Sequence, residues 1–286
     1  MIITGIRTGV VSIPLRKPFK TALRTVEHLR SIVVAVDTDT GAIGYGEAAP
    51  TGAITGDSLG SIRGAIHEYI APRLKGKPIA NLEDTLNTLD RSCVKNTSPK
   101  SAVDIALHDL FGKLYNLPLY KLLGGYRTRV ETDLTISVNS PEEMARDSCE
   151  AVARGFRILK LKVGLEPDLD IKRIRAVRDA VGMKVSLRLD ANQGWNVREA
   201  IRIMRVIEGA NLGIELVEQP VTAHDIEGLK QVKDSIDTPV LADESVFSAL
   251  DAEHIVAVRA ADYLNIKLMK TGGLRGALRI CAIAEL

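Results

Sequence analysis

The chain has 286 residues, of which 45% are hydrophobic, and 38 basic against 36 acidic residues give a formal net charge of +2. This length can bury a large core and exceeds that of a typical single domain. The sequence has no basic block and no basic stripe interleaved with aromatic residues, so nucleic-acid binding is not indicated. No apolar run approaches the ~20 residues of a membrane span, and the first residues lack the apolar core of a signal peptide.

The three cysteines, Cys93, Cys149 and Cys281, are scattered and lack the spacing of a metal site. Unpatterned cysteines without an export signal are typical of a reducing compartment, so we expect a cytoplasmic protein. Neither nucleic acid nor a membrane is therefore an expected partner.

The N-terminal third is predicted to form antiparallel strands followed by helices. Alternating apolar residues in 1–37 predict two strands, and residues 44–47 border a third. Apolar residues at helical spacing predict three helices, over residues 58–74, 82–89 and 98–114. We therefore predict a small α+β domain over residues 1–125.

The rest of the chain repeats a short apolar run followed by a helix-like segment. The first run is 131–138, and the five later ones end at charged residues, namely Lys162, Asp190, Glu218, Asp243 and Lys267. These residues are 24 to 28 positions apart, the interval of a (β/α)₈ or TIM barrel. In such a barrel the C-terminal ends of the strands converge on one mouth. We predict an α/β barrel domain over residues 126–286.

Lys160 and Lys162 lie two residues apart in one of these runs, so their side chains share a face of the strand. That face is either solvated or directed into the barrel, and the charged residues that follow in phase favour the inward direction. The same alternation directs Thr135 and Arg188 inward and Glu244 away from the mouth. An inward Arg188 requires an acidic partner or a bulge in the strand.

The strand-end motifs resemble those of the enolase superfamily, in its muconate-lactonizing subgroup. The motifs are Lys160-Leu161-Lys162, Asp190-Ala191-Asn192, Glu218-Gln219-Pro220, Asp243-Glu244-Ser245 and Asn265-Ile266-Lys267. The segment from Leu107-His108-Asp109 to Gly124-Gly125 is similar to the capping domain of that family. The loops of 17–25 and 54–57, with 137–139 and 266–270, most resemble dipeptide epimerases that act on L-Ala-D/L-Glu. The resemblance implies a capping domain with specificity loops and an enolase-type barrel.

The implied reaction is an isomerisation, a 1,1-proton transfer through an enediolate. Because an α-proton beside a carboxylate is weakly acidic, its removal needs positioned bases and positive charge nearby. Asp190, Glu218 and Asp243 offer hard oxygen ligands that suit one Mg²⁺ per subunit. Lys162 and Lys267 would be the bases on opposite faces of the α-carbon. Their neighbour Lys160 would lower the pKa of Lys162 and contact the substrate.

Other residues receive supporting roles from the same resemblance. Arg24 would pair with the side-chain carboxylate of the substrate, and Thr135 would also bind the substrate. The loops 19–26 and 50–56 would form a lid that excludes water. Three amides would orient the ligands and bases, namely Asn192, Gln219 and Asn265.

The sequence departs from the family pattern at its end. It stops after the sixth predicted strand, so we interpret the barrel as truncated, without the Asp-x-Asp motif expected at the eighth strand. Alternatives within the enzyme class are an N-acylamino-acid racemase, an o-succinylbenzoate synthase and a muconate cycloisomerase. Another alternative is a catalytically inert fragment. The resemblance further implies a homo-oligomer and a role in murein peptide metabolism.

Overall fold

The computed structural model describes residues 1–286, which form two compact units. The first unit comprises Met1–Leu15, His28–Arg129 and Ile266–Leu286. The second comprises Arg16–Glu27 and Val130–Asn265. No helix is long and apolar enough to cross a membrane.

A three-stranded sheet, ordered β1-β2-β3, opens the chain. Its strands are β1 (Ile3–Lys20), β2 (Thr25–Thr38) and β3 (Ile43–Ala48). The three strands predicted for this region are confirmed, although β1 continues into the predicted loop at 19–26. The strand reaches Lys20 because the Lys20 carbonyl accepts a hydrogen bond from the Val138 amide at 3.2 Å. Only four residues then separate β1 from β2.

The helices of the first unit follow the sheet. They are α1 (Leu59–Gly64), a π-helical turn (Ala65–Ile70), α2 (Ala71–Leu74), α3 (Leu82–Asp90), α4 (Thr97–Tyr115) and α5 (Leu119–Leu122). The three helices predicted from apolar spacing are confirmed. Helix α4 lies directly on β3 because Gly44 and Gly46 have no side chains. A Cβ at Gly46 would lie 1.9 Å from the Ala102 carbonyl oxygen, so only glycine permits this approach.

The second unit holds a six-stranded sheet ordered β4-β5-β6-β7-β8-β9, with its strands parallel. The strands are β4 (Leu134–Ile136), β5 (Ile158–Lys162), β6 (Ser186–Asp190), β7 (Ile214–Glu218), β8 (Val240–Ala242) and β9 (Tyr263–Leu264). The predicted alternation of strand and helix is confirmed. The first strand is shorter than the predicted 131–138 because only its three residues pair with β5.

Helices alternate with these strands. They are α6 (Pro141–Ala153), α7 (Pro167–Val181), α8 (Val197–Gly209), α9 (Ile226–Lys233) and α10 (Ala249–Val258). Local sequence sets where they begin: Asn196 and Glu199 form a capping box at α8, and Ser248 and Asp251 form another at α10. Each helix therefore starts a few residues beyond the C-terminal end of a strand, where the charged motifs lie.

The last two helices, α11 (Leu268–Thr271) and α12 (Leu274–Glu285), belong to the first unit. They pack on α4, and the Leu274 amide donates to the Asp104 carboxylate at 2.7 Å. Residues 16–27 belong to the second unit, where Lys20 Nζ donates to Asn139 Oδ1 at 2.9 Å. The sequence predicted a single division near residue 125. The compact units differ from it because residues 16–27 join the second unit and residues 266–286 join the first. Both segments are placed by long-range contacts, which local sequence patterns do not show.

Candidate active site

Strand β5 carries the two lysines on one face. Leu159 and Leu161 are fully buried on the other face. Lys160 Nζ lies 3.1 Å from Asp190 Oδ2 and 2.8 Å from Glu218 Oε2. Lys162 Nζ lies 2.6 Å from Asp190 Oδ2. Both lysines therefore face acidic side chains of neighbouring strands, and the interpretation as a solvated strand face is wrong.

Three carboxylates are buried at the C-terminal ends of adjacent strands. Asp190 ends β6 and pairs in register with Glu218 at the end of β7. Glu218 pairs with Leu241 of β8, and Asp243 follows two residues later. The exposed fractions of the three acidic residues are 0%, 3% and 0%. The sequence prediction that these acids would meet at one edge of the sheet agrees with this order of strands.

The charges of these groups shift one another's pKa. Burial and the charge of Asp190 raise the pKa of Glu218 to about 7, with Asp243 adding to the rise and Lys160 opposing it. Burial opposes ionisation of Asp190 as well, but the ammonium groups of Lys162 and Lys160 lower its pKa. For Lys160, burial opposes the charged form, but the carboxylates of Asp190 and Glu218 outweigh it and raise the pKa.

The donor chemistry of this cluster fits a divalent cation. No group of three or more His, Cys, Asp or Glu side chains is already arranged around a single metal position. Asp190, Glu218 and Asp243 nevertheless supply three buried carboxylates, and two of them raise the pKa of the third. A cation with oxygen preference, such as Mg²⁺, would relieve this repulsion. These are the residues that would hold it.

Asn192 is hydrogen-bonded both to Lys162 and to two acidic residues. Its Oδ1 accepts from Lys162 Nζ at 2.8 Å, and its backbone amide donates to Asp190 Oδ1 at 3.0 Å. Its Nδ2 donates to Glu244 Oε1 at 3.1 Å. Glu244 therefore lies among the strand-end loops and is 5% exposed, so the alternation argument that directed it away from the mouth is wrong. Alternation fails there because β8 ends at Ala242 and a turn follows.

Asn265 and Gln219, the other two predicted amides, bond to different groups. Asn265 Nδ2 donates to Glu218 Oε1 at 2.9 Å, a direct contact with an acid of the cluster. Gln219 Oε1 instead accepts from the backbone amide of Asp243 at 2.9 Å, and its Nε2 donates to Ser245 Oγ at 2.8 Å. Gln219 thus fixes the chain that carries Asp243.

Three non-glycine residues in the loops after β6 and β7 have left-handed backbone conformations. The φ angles are 42° at Asn192, 68° at Gln193 and 38° at Gln219. Such conformations are uncommon outside glycine and persist where surrounding bonds determine them. Here the Gln193 amide donates to the Gln219 carbonyl at 2.9 Å, which joins the two loops. The backbone is therefore held in these conformations beside the acids.

Arg188 of β6 faces the same side as the lysines and has acidic partners. It lies 3.2 Å from Asp133 and 2.7 Å from Glu215. The pairing of β6 with β7 shifts register between Leu187 and Arg188. Glu215 is skipped in this pairing, so both features that were predicted as alternatives, an acidic partner and an irregular strand, occur at Arg188.

Arg24 and Thr135 are the predicted substrate contacts, and Lys267 is the predicted second base. Arg24 closes a tight turn, in which its carbonyl accepts from the Thr21 amide at 3.0 Å. Thr135 pairs in register with Lys160, so it lies on the same face of the sheet. Lys267 is the N-cap of α11, two residues after Asn265. The substrate roles of Arg24 and Thr135, and the role of Lys267 as a base, stay predictions.

Two family models match most of this chain. Residues 3–124 match the mandelate racemase / muconate lactonizing enzyme N-terminal domain, and residues 143–286 match the enolase C-terminal domain-like family. The chain belongs to the enolase superfamily. Apart from residues 16–27, the part that matches the enolase-type N-terminal cap lies in the first unit, and the parallel sheet belongs to the C-terminal α/β domain.

Similar proteins are named as epimerases. The L-Ala-D/L-Glu epimerase of Clostridium acetobutylicum is 57% identical over 285 residues, covering 100% of this chain and 80% of the relative. A substrate-liganded L-Ala-D/L-Glu epimerase of Bacillus subtilis is 51% identical with a TM-score of 0.98, covering 100% of this chain and 80% of that chain. A dipeptide epimerase of Enterococcus faecalis, complexed with Mg and L-Leu-L-Tyr, is 41% identical with a TM-score of 0.96 and the same coverage. This member of the enolase superfamily is accordingly an isomerase.

Proposed function

We propose that the protein is a Mg²⁺-dependent dipeptide epimerase acting on substrates of the L-Ala-D/L-Glu type. The observation that carries the proposal is the buried cluster in which Lys160 and Lys162 face Asp190 and Glu218. The names of the most similar relatives support the choice of substrate. One Mg²⁺ per subunit, bound by Asp190, Glu218 and Asp243, would supply positive charge beside the substrate carboxylate.

The chain's own lysines would move the proton. Lys162 removes the α-proton from one face of the substrate carbon, and Lys267 returns a proton to the opposite face; for the other epimer the roles reverse. Lys162 can act as a base only after losing its own proton. Its neighbour Lys160 contacts the same oxygen of Asp190, so the two amines lie side by side on that carboxylate. Asn192 orients the amine through its 2.8 Å hydrogen bond.

Substrate choice would come from residues outside the acid cluster. Arg24 would pair with the side-chain carboxylate of the second residue of the dipeptide, because a guanidinium binds a carboxylate through two parallel bonds. Thr135 would contact the same substrate. The segments 19–26 and 50–56 would exclude water as a lid. Location in the cytoplasm, assembly as a homo-oligomer and a role in murein peptide metabolism belong to the same proposal.

The test is α-proton exchange in D₂O. The protein is incubated with Mg²⁺ and either L-Ala-L-Glu or L-Ala-D-Glu, and the glutamate α-proton is followed by NMR with a chelator control. We expect chelator-sensitive exchange and formation of the other epimer. Lys162→Ala should abolish exchange from one epimer, and Lys267→Ala from the other.

Other outcomes distinguish the alternatives. Exchange of hydrophobic dipeptides or N-acylamino acids, but not of Ala-Glu, would keep the isomerase and change the substrate. A folded protein that binds Mg²⁺ but exchanges neither class would contradict the epimerase proposal. A folded protein that binds no Mg²⁺ and exchanges nothing would favour the inert fragment.

A further inference from the structure

Two buried charged side chains of α7 join the loops that follow three strands. Asp170 Oδ2 accepts from the Gly164 amide at 2.8 Å and from Trp195 Nε1 at 3.0 Å. Its Oδ1 accepts from Arg173 Nη1 at 2.8 Å, and Arg173 Nε donates to the Asn139 carbonyl at 2.7 Å. Asn139 follows β4, Gly164 follows β5 and Trp195 follows β6. One ion pair on the outer helix thus reaches three strand ends.

The two groups that Asp170 holds lie close in sequence to the proposed base and its partner. Gly164 is two residues after Lys162, and Trp195 is three residues after Asn192. Lys162 and Asn192 are themselves hydrogen-bonded at 2.8 Å. Asp170 therefore holds Gly164, which follows Lys162, and Trp195, which follows Asn192. It makes no hydrogen bond to the side chain of Lys162 or Asn192.

Backbone contact between the two loops transmits this constraint. Gly164 has a φ of +99°, and a Cβ there would lie 2.2 Å from the Ala191 carbonyl oxygen. A Cβ at Gly194 would lie 2.1 Å from the Gly164 carbonyl oxygen. Because no side chain separates the loops, a displacement of Gly164 must displace residues 191–194 as well. The position of Asn192 thus depends on the position of Gly164.

Burying a charged pair to hold loops together is costly, because both ions lose their water. Asp170 is fully buried and Arg173 is 5% exposed. Hydrogen bonds compensate for this loss. The Asp170 carboxylate accepts three of them, and the Arg173 guanidinium also donates to the Asn139 carbonyl. Directional bonds of this kind fix geometry more narrowly than apolar packing does.

We propose that Asp170 is a positioning residue for the proton-transfer step, which sets the contact between Lys162 and Asn192 by holding Gly164 and Trp195. The proposal rests on the proposed two-base function. Lys162 removes the α-proton from only one of the two epimers, so a change at Asp170 should slow α-proton exchange from that epimer more than from the other. Loss of general stability would slow both equally.

The test variant is Asp170→Asn, since an amide offers one oxygen and cannot accept from all three donors. The matched control is Arg178→Lys on the same helix. Arg178 is equally buried but bonds carbonyls at the opposite ends of the strands, namely those of Gly182, Val185, Leu212 and Gly213. Trp195→Phe, which removes a single bond to Asp170, is a milder second variant if Asp170→Asn folds poorly.

Two readouts are measured. The first is α-proton exchange from each epimer, with Lys162→Ala identifying the epimer from which Lys162 removes the proton. We expect Asp170→Asn to slow that epimer by about 100-fold, the effect of a misplacement near 1 Å, and the other epimer far less. Trp195→Phe should have a smaller effect in the same direction, and Arg178→Lys should leave the ratio of the two rates unchanged.

The second readout does not need activity. Trp195 is the only tryptophan and is 2% exposed, so acrylamide quenching of its fluorescence reports directly on the loop after β6. Quenching should rise in Asp170→Asn but not in Arg178→Lys. Equal slowing of both epimers, or unchanged quenching, would overturn the proposal. If the wild-type protein exchanges neither epimer, the proposed substrate is wrong, and quenching alone then decides whether Asp170 holds the loop.

Discussion

Replacing Glu218 by glutamine should stabilise the metal-free protein at neutral and alkaline pH. Burial and the nearby Asp190 raise the pKa of Glu218 from its usual value near 4.5 to about 7. A folded-state pKa above the unfolded value means that this group's contribution to stability is complete below pH 4.5. It is lost as the pH rises through 7, because the folded state must then hold a buried carboxylate beside Asp190. Glutamine resembles the protonated acid at every pH.

The magnitude follows from the size of the shift. Each pKa unit corresponds to about 1.4 kcal/mol, so the rise at Glu218 corresponds to about 3 kcal/mol. The free energy of unfolding of Glu218→Gln, minus that of the wild type, should therefore increase by about this amount between pH 4 and pH 8. The assay is urea denaturation in a chelating buffer, followed by the fluorescence of Trp195, which lies in the same unit.

Glu215 on the same strand provides a control of opposite sign. A hydrogen bond from Arg188 lowers the pKa of Glu215 despite partial burial. Its stabilising contribution is present above its usual pKa and is lost as the pH falls through the lowered value. Glu215→Gln should therefore destabilise the protein at pH 8. A stability difference for Glu218→Gln that stays flat from pH 4 to pH 8 would refute the account of repulsion within the acid cluster.

Three further predictions concern the metal, the substrate and the loop geometry. Glu218 is a proposed Mg²⁺ ligand and would bind the cation in its ionised form, so calorimetry should show the affinity for Mg²⁺ falling roughly tenfold per pH unit below 7; a flat profile would contradict this. Arg24→Ala should raise the KM for Ala-Glu while sparing an uncharged dipeptide in the exchange assay, whereas equal effects would exclude a carboxylate contact. Gly164→Ala should lower exchange activity at least tenfold, because its Cβ would overlap the Ala191 carbonyl; wild-type activity would exclude tight loop contact.

Much of the fold was predictable because its signals are local and periodic. The apolar runs of the parallel strands and the charge at the end of each recur at a regular interval, so the sequence alone places Asp190 and Glu218 side by side. Periodicity also identified α3 and α4. The shared face of Lys160 and Lys162 required only the two-residue alternation of a strand, and the acids settled its direction.

The remainder depends on contacts that no local pattern contains. Residues 16–27 join the second unit through bonds such as that of Lys17 to Asp147, more than a hundred residues away. Glu244 was misplaced because alternation was extended beyond the end of β8. Asp170 gave no sequence signal at all, since an acid in the first turn of a helix is ordinarily a favourable surface charge. Its partners, Gly164 and Trp195, become neighbours only when the loops close.

The loops beyond the strands explain how like charges can be held at one edge of the sheet. Repulsion among Asp190, Glu218 and Asp243 tends to spread the strand ends apart. Lateral hydrogen bonds oppose this: Gln193 bonds from the loop after β6 to that after β7, and Gln219 bonds onward to the backbone that carries Asp243. These amides carry no charge, so they add no repulsion of their own. The backbone strain at Asn192, Gln193 and Gln219 is therefore the cost of a rigid edge, and rigidity is what a cation site and a positioned base both require.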